Sequence, residues 1–219
     1  MHFEILVEGQ SEVIALSNLM DKIVGKYREP HTWKIHKHQG RGKIPENPEI
    51  PPNIRDKSLL HNLPAKLRAY GAEEKSDLVV VVLVDLDDRN DCAAFKNELV
   101  ALLDYCDKKP RALFRIAIEE LEAWYLGDLA ALKLAYPDIK QDIFDNYAQD
   151  SQVGTWEILA EMVYPGGLDA LHAIKGKRSS LVLQEKANWT KNICPHLNVE
   201  KNQSPSFCCF RDGLRRMIT

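Results

Sequence analysis

Residues Leu78 to Val84, LVVVVLV, form an unbroken apolar run, rich in β-branched side chains and bounded by Asp77 and Asp85. A strand with one face in water alternates apolar and polar residues, so a run apolar at every position asks for cover on both faces. That is the pattern of a parallel sheet sandwiched between helices, and the rest of the chain supplies them. His2 to Val7 alternates and reads as a first strand broken at Glu8-Gly9. Val13, Leu16, Leu19, Met20 and Ile23 then recur at helical spacing behind a cap at Ser11. Thr32 to His38 reads as a second strand, Leu59 to Tyr70 as a helix, and Asp91 to Asp107 as a helix capped by Asn90. Ala112 to Ile118 returns as a strand, and Glu119 to Leu126 opens another helix. Strand and helix alternate over roughly the first 130 residues, which predicts an α/β core of about four parallel strands with helices on both faces and right-handed crossovers. The expected division is a core at 1–135 and a mostly helical C-terminal extension at 136–219 packed against it. Within the core, residues 39–57 hold Gly40, Gly42, Pro45, Pro48, Pro51 and Pro52, and are expected as a long loop.

Composition excludes several classes. With 219 residues, 45% of them hydrophobic and 28% charged, the chain can bury a full core. Its net charge of -3 does not advertise a nucleic-acid binder, so any electropositive footprint must be local. The longest apolar run is too short to span a bilayer, and MHFEILVEGQ has neither a basic leader region nor a cleavage site, so a cytoplasmic protein without membrane contact is expected. Five cysteines, an odd number without CxxC spacing, support neither a disulfide framework nor a zinc site.

Acidic residues recur at one topological place. Glu8 follows the first strand, Asp85 and Asp87 the most buried one, and Glu119, Glu120 and Glu122 the last. If the strands are parallel, these groups converge on one edge, where open α/β sheets bind their ligands. Asp85 and Asp87, two apart on extended backbone, would point the same way and repel each other unless a cation lay between them. Hard divalent ions take carboxylate oxygens and suit phosphate substrates. The same acids could instead favour helix N-termini, so the argument rests on their convergence. Of the third group, Glu119 is expected nearest the site, Glu122 next and Glu120 least.

Basic residues gather elsewhere. Lys34, Lys37, Arg41 and Lys43 lie in and beside the Gly-rich loop, and Lys175, Lys177, Arg178, Lys186 and Lys191 form a second run. Either run could grip phosphates beside an acidic site, although an isolated run is more often a solvated face. The C-terminal Arg211, Arg215 and Arg216 read as intramolecular or helix-end charges. His36 and His38 share a strand face but lack a third soft ligand, which argues against zinc. The four tryptophans read as packing residues.

Taken together, LVEGQSE, LVDLDD and IEELEAWYLGD resemble an uncharacterised prokaryotic family of Toprim-like proteins, related in motif to the OLD-family nucleases and often linked with ABC-type or AAA-type ATPases. The likeness runs on through TWEILAEMVYPGG, KGKRSS and SPSFCCFRDGLRR. It implies a Toprim-like, Rossmann-like core in which Glu8, Asp85 and Asp87 hold magnesium or manganese. By the same resemblance Glu12, four positions past Glu8, contributes, and Glu119 or Glu122 supplies a further glutamate. The chain has no GxxxxGK[ST] loop, so an ATPase would be a separate protein. The function expected is metal-dependent hydrolysis of DNA or RNA in a defence or repair assembly. Glu8 would ligate the ion or act in proton transfer, Lys175, Lys177 and Arg178 would bind phosphate and offset transition-state charge, and Lys37, Arg41 and Lys43 would hold nucleic acid. The alternatives are a non-catalytic or toxin-like partner of an ATPase and a small-molecule phosphatase.

Overall fold

A computed structural model describes residues 1–87, 89–150, 154–173 and 178–219, with backbone alone for 178–180. Four strands, β1 (His2–Val7), β2 (Thr32–Lys37), β3 (Leu78–Asp85) and β4 (Ala112–Ala117), form one sheet in the order β2-β1-β3-β4. Every pairing is parallel. The apolar run therefore occupies β3, an inner strand with neighbours on both sides. Val79 to Val82 are fully buried there, each side chain contributing about 1.5–3 kcal/mol.

Helices cover both faces. Odd-numbered β1 and β3 residues such as Phe3, Ile5, Val79 and Val81 pack in one layer with α1 (Gln10–Val24), while Leu6, Val80 and Val82 pack in the other with α2 (Leu59–Ala72) and α3 (Cys92–Ala101). After β4 come α4 (Glu122–Leu126), α5 (Leu129–Ala135), α6 (Gln141–Asp145), α7 (Thr155–Val163), α8 (Gly167–Ala173), α9 (Arg178–Ile193) and α10 (Pro205–Ile218). Trp189 and Ile193 of α9 and Phe207, Phe210 and Leu214 of α10 share the α1 layer with the sheet, so the C-terminal helices belong to the same core. No helix among the described residues is long and apolar enough to cross a membrane.

The chain runs from β1 outward to β2, then crosses back to β3 and β4 on the other side. The strand order thus reverses between β1 and β3. At such a switch point the connections leave in opposite directions and open a crevice at the carboxyl ends of the strands.

Several boundaries differ from those expected. Gly9, not Ser11, precedes the first helix, because the Glu12 side chain reaches back to the Gly9 N–H at 2.9 Å and starts the helix earlier. Asp91, not Asn90, caps α3 through the Ala94 N–H, and the expected long helix ends at Ala101 before a 3-10 turn at Leu102–Tyr105. Asp87 has φ +49° and does not extend β3, so it and Asp85 do not share one extended backbone. Glu119 also lies in the left-handed region, at φ +60°, and the helix expected from it begins only at Glu122.

Candidate functional site

The reversal between β1 and β3 brings Glu8 beside Asp85. Leu6 pairs with Val82, so two residues on, the end of β1 stands level with the end of β3. Glu8 Oε1 accepts the Asp85 backbone N–H at 2.9 Å. Burial pushes the Glu8 carboxyl up to about 8, and the neighbouring charges of Glu12 and Asp87 add to the rise. Asp85 is raised by burial, then by Glu8, Glu12 and Glu122. Glu12, only 7% exposed, is raised by the same burial. These groups form one electrostatic unit in which ionising one member opposes ionising the next.

The loop after β4 and helix α9 complete it. Glu122 is 1% exposed and Glu120 partly so, and Lys186 of α9 reaches Glu120 Oε1 at 3.0 Å and Glu122 Oε1 at 3.5 Å. Burial and the Glu122 charge push the Glu120 carboxyl up to about 7. For Lys186, burial opposes the charged form, but the carboxylates outweigh it and hold the ammonium well above its ordinary value. Glu120 Oε2 and Glu122 Oε1 still lack a hydrogen-bond partner. In the sequence Lys186 belongs to the second basic run, expected to grip phosphates rather than to meet the acids. The overlooked signal lay in its own helix: Trp189, Thr190 and Ile193, at three, four and seven residues on, are all buried, so Lys186 shares the buried face.

The other expected residues fall in different places. Glu119, expected nearest the site, has its carboxylate on the N-terminus of α7, accepting from Gly154 and from the Thr155 N–H at 2.5 Å. Glu122 and Glu120, ranked below it from sequence, are the two that meet Lys186. Asp87 sits at the rim, paired with Arg41 at 2.7 Å, and Arg41 also donates to the Leu86 carbonyl. Lys37 reaches Gln10, and Lys43 is exposed on the Gly- and Pro-rich loop. Lys175 and Lys177 lie outside the described residues, as does the side chain of Arg178.

Glu8, Glu12, Asp85, Glu120 and Glu122 thus form a connected network around Lys186, with more buried carboxyl groups than cations. Such an excess favours uptake of a proton or a cation. The donors are all hard carboxylate oxygens, two of them without a hydrogen-bond partner, which matches the chemistry of Mg2+ or Mn2+. Among the described residues no group of three or more His, Cys, Asp or Glu side chains stands in ready-made ligand geometry, so the match is one of charge and donor type.

No curated protein and no solved structure matches the chain. The model of a family described as a domain of unknown function, DUF4276, matches residues 7–215, from before Glu8 to beyond Lys186, and the chain belongs to that family.

Proposed function

We propose that this chain is a divalent-metal-dependent phosphodiesterase, a nuclease subunit acting on DNA or RNA. The observation that carries this reading is the gathering of Glu8, Glu12, Asp85, Glu120 and Glu122 with Lys186 at the switch point of a parallel sheet. The Toprim-like and OLD-like resemblance of LVEGQSE, LVDLDD and IEELEAWYLGD agrees with it.

Asp85, Glu12 and Glu122, with Asp87 at the rim, would hold the ion. A bound Mg2+ or Mn2+ supplies positive charge and Lewis acidity toward a phosphoryl oxygen. Glu8 keeps Oε1 on the Asp85 N–H, which fixes its carboxyl and leaves Oε2 for proton transfer with the leaving oxygen. Lys186 offsets negative charge as it grows on the phosphoryl oxygens. Arg41, Lys37 and Lys43 would hold the nucleic acid, and Lys175, Lys177 and Arg178 are assigned to phosphate on the sequence alone.

An ABC-type or AAA-type ATPase as a separate partner, within a defence or repair assembly, follows from the same resemblance. The free cysteines suit a reducing, cytoplasmic setting. The test is to incubate the purified chain with Mg2+ and single- or double-stranded DNA or RNA, with and without the cognate ATPase. Asp85→Asn is expected to keep its fold and lose cleavage. Normal cleavage by that variant would remove Asp85 from the chemistry, and no cleavage by the parent under any of these conditions would end the nuclease reading.

A further inference from the structure

The open edge of β2 carries a second charged feature, opposite in sign to the first. A cavity of about 390 Å³ lies there, walled chiefly by His36, Lys37, His38, Lys57, Asn62 and Lys66. None of its described wall residues carries a carboxylate. Lys66, on α2, is half-buried, and burial lowers the pKa of its ammonium. Among the described residues its Nζ makes no hydrogen bond or ion pair. The nearby acid is Glu4, and both its oxygens are engaged: Oε1 with His2 at 3.2 Å, and Oε2 with His36 and with the Tyr70 hydroxyl at 3.4 Å. Glu4 therefore acts on Lys66 only at a distance, and a half-buried ammonium that no acid touches gains from an anion seated against it.

The strand edge adds donors. His38 N–H bonds to the Val7 carbonyl and Thr32 N–H to Met1, so the even-numbered residues of β2 face β1. The backbone groups of Ile35 and Lys37 therefore point to the open edge, where both residues line the cavity. Asn62 donates to the Asp56 and Ser58 carbonyls, which leaves the lysines as the cationic wall, with the His36 and His38 rings beside them.

We propose that this cavity is a phosphate-binding subsite that holds a backbone phosphodiester of a nucleic-acid strand beside the acidic site. His38 contacts Val7, the residue before Glu8, and the Gly40 N–H bonds to the Glu8 carbonyl at 3.0 Å, so the cavity adjoins the end of β1. From the open edge of β2 a strand seated on Lys57 and Lys66 would pass over the ends of β2 and β1, each strand spacing being about 4.8 Å, to reach Glu8 and then Asp85. The phosphodiester as source rests on the nucleic-acid reading above; the anion site itself does not.

The experiment measures binding of a labelled single-stranded DNA and RNA oligonucleotide in EDTA as a function of NaCl. It compares the parent, Lys57→Ala/Lys66→Met, and the exposed control pair Lys108→Ala/Lys109→Ala. Loss of two phosphate contacts is expected to flatten the log–log salt slope by about 1.4 on a single strand and to weaken binding at least tenfold at low salt, while the control matches the parent. In a second arm, inorganic phosphate is added and the His36 and His38 ring signals are followed by NMR, where shifts are expected in the parent and not in the double variant. Parent-like affinity and slope in Lys57→Ala/Lys66→Met would overturn the subsite. Shifts with phosphate but no oligonucleotide effect would overturn the phosphodiester assignment in favour of a free phosphate. Magnesium-dependent cleavage is scored in parallel: cleavage with an unchanged salt slope removes the subsite and keeps the nuclease, and the reverse keeps the subsite and removes the nuclease.

Discussion

Glu8 and Asp85 are joined by a single hydrogen bond, side-chain oxygen to backbone N–H at 2.9 Å, so a carboxyl group fastens the end of β1 to the end of β3. The fastening and the charge are separable. Glu8→Gln keeps an oxygen for that N–H and deletes the ionisation.

The first prediction is a stability profile. The folded chain holds protons on Glu8 to about 8 and on Glu120 to about 7, whereas an unfolded glutamate releases them near 4.5. A folded pKa above the unfolded one gives stability that is complete below the unfolded value and lost as pH rises through the folded one. Without metal, the parent is therefore expected to melt at progressively lower temperature from about pH 4.5 to about pH 8, and Glu8→Gln to show a flatter profile. Thermal melts in EDTA across that range decide it, and identical slopes for the two proteins would mean that Glu8 is not a buried proton holder.

Much of this was legible in the sequence, and the failures have physical causes. The LVVVVLV run identified β3 and its burial, and the acids after β1, β3 and β4 identified the edge on which they meet. What sequence could not supply was the direction of the backbone after a strand. Glu119 directly follows β4, yet its left-handed φ turns it onto α7, and Glu122, a turn later, takes the inward position. Asp87 turns away from β3 in the same manner and meets Arg41. Lys186 stands in a run of basic residues expected to grip phosphates, and nothing in the run itself marks it as a member that faces inward. Neither Lys57 nor Lys66 belonged to any run; the bond from the Gln39 N–H to the Lys57 carbonyl and the course of α2 bring them to the cavity that Lys37 and His36 also line.

A second prediction concerns the ion. Protons and cations compete for the same carboxylates, so Mg2+ is expected to raise the melting temperature more at about pH 8 than at about pH 5.5. Asp85→Asn is expected to lose that increment at both. Differential scanning fluorimetry over a Mg2+ titration measures it, and an equal rise in the variant would place the ion elsewhere.

The third follows from the Lys186 pairings. Lys186→Met leaves Glu120 and Glu122 without their cation, a change expected to cost about 3–5 kcal/mol in chemical denaturation. Adding Glu122→Gln is expected to recover part of the loss. A double variant no more stable than Lys186→Met alone would show that the two groups are not coupled.

The fourth separates a cap from a ligand. Glu119 holds the first N–H groups of α7, so Glu119→Ala is expected to cost about 1–2 kcal/mol while the Mg2+ response stays as in the parent. Unchanged stability with a lost Mg2+ response would return Glu119 to the ion site.

The distance along the chain between the acids and their ammonium has a further consequence. Lys186 stands 66 residues beyond Glu120. A ribosome therefore delivers all four strands and every member of the carboxylate cluster before the lysine that pairs with Glu120 and Glu122. Until α9 emerges and docks, the growing sheet must keep these groups protonated, solvated or paired with a borrowed cation. Its final consolidation then waits on an electrostatic event supplied by the last quarter of the polypeptide. A chain cut before α9 would not be a smaller version of the same core; it would be a core working against its own charge.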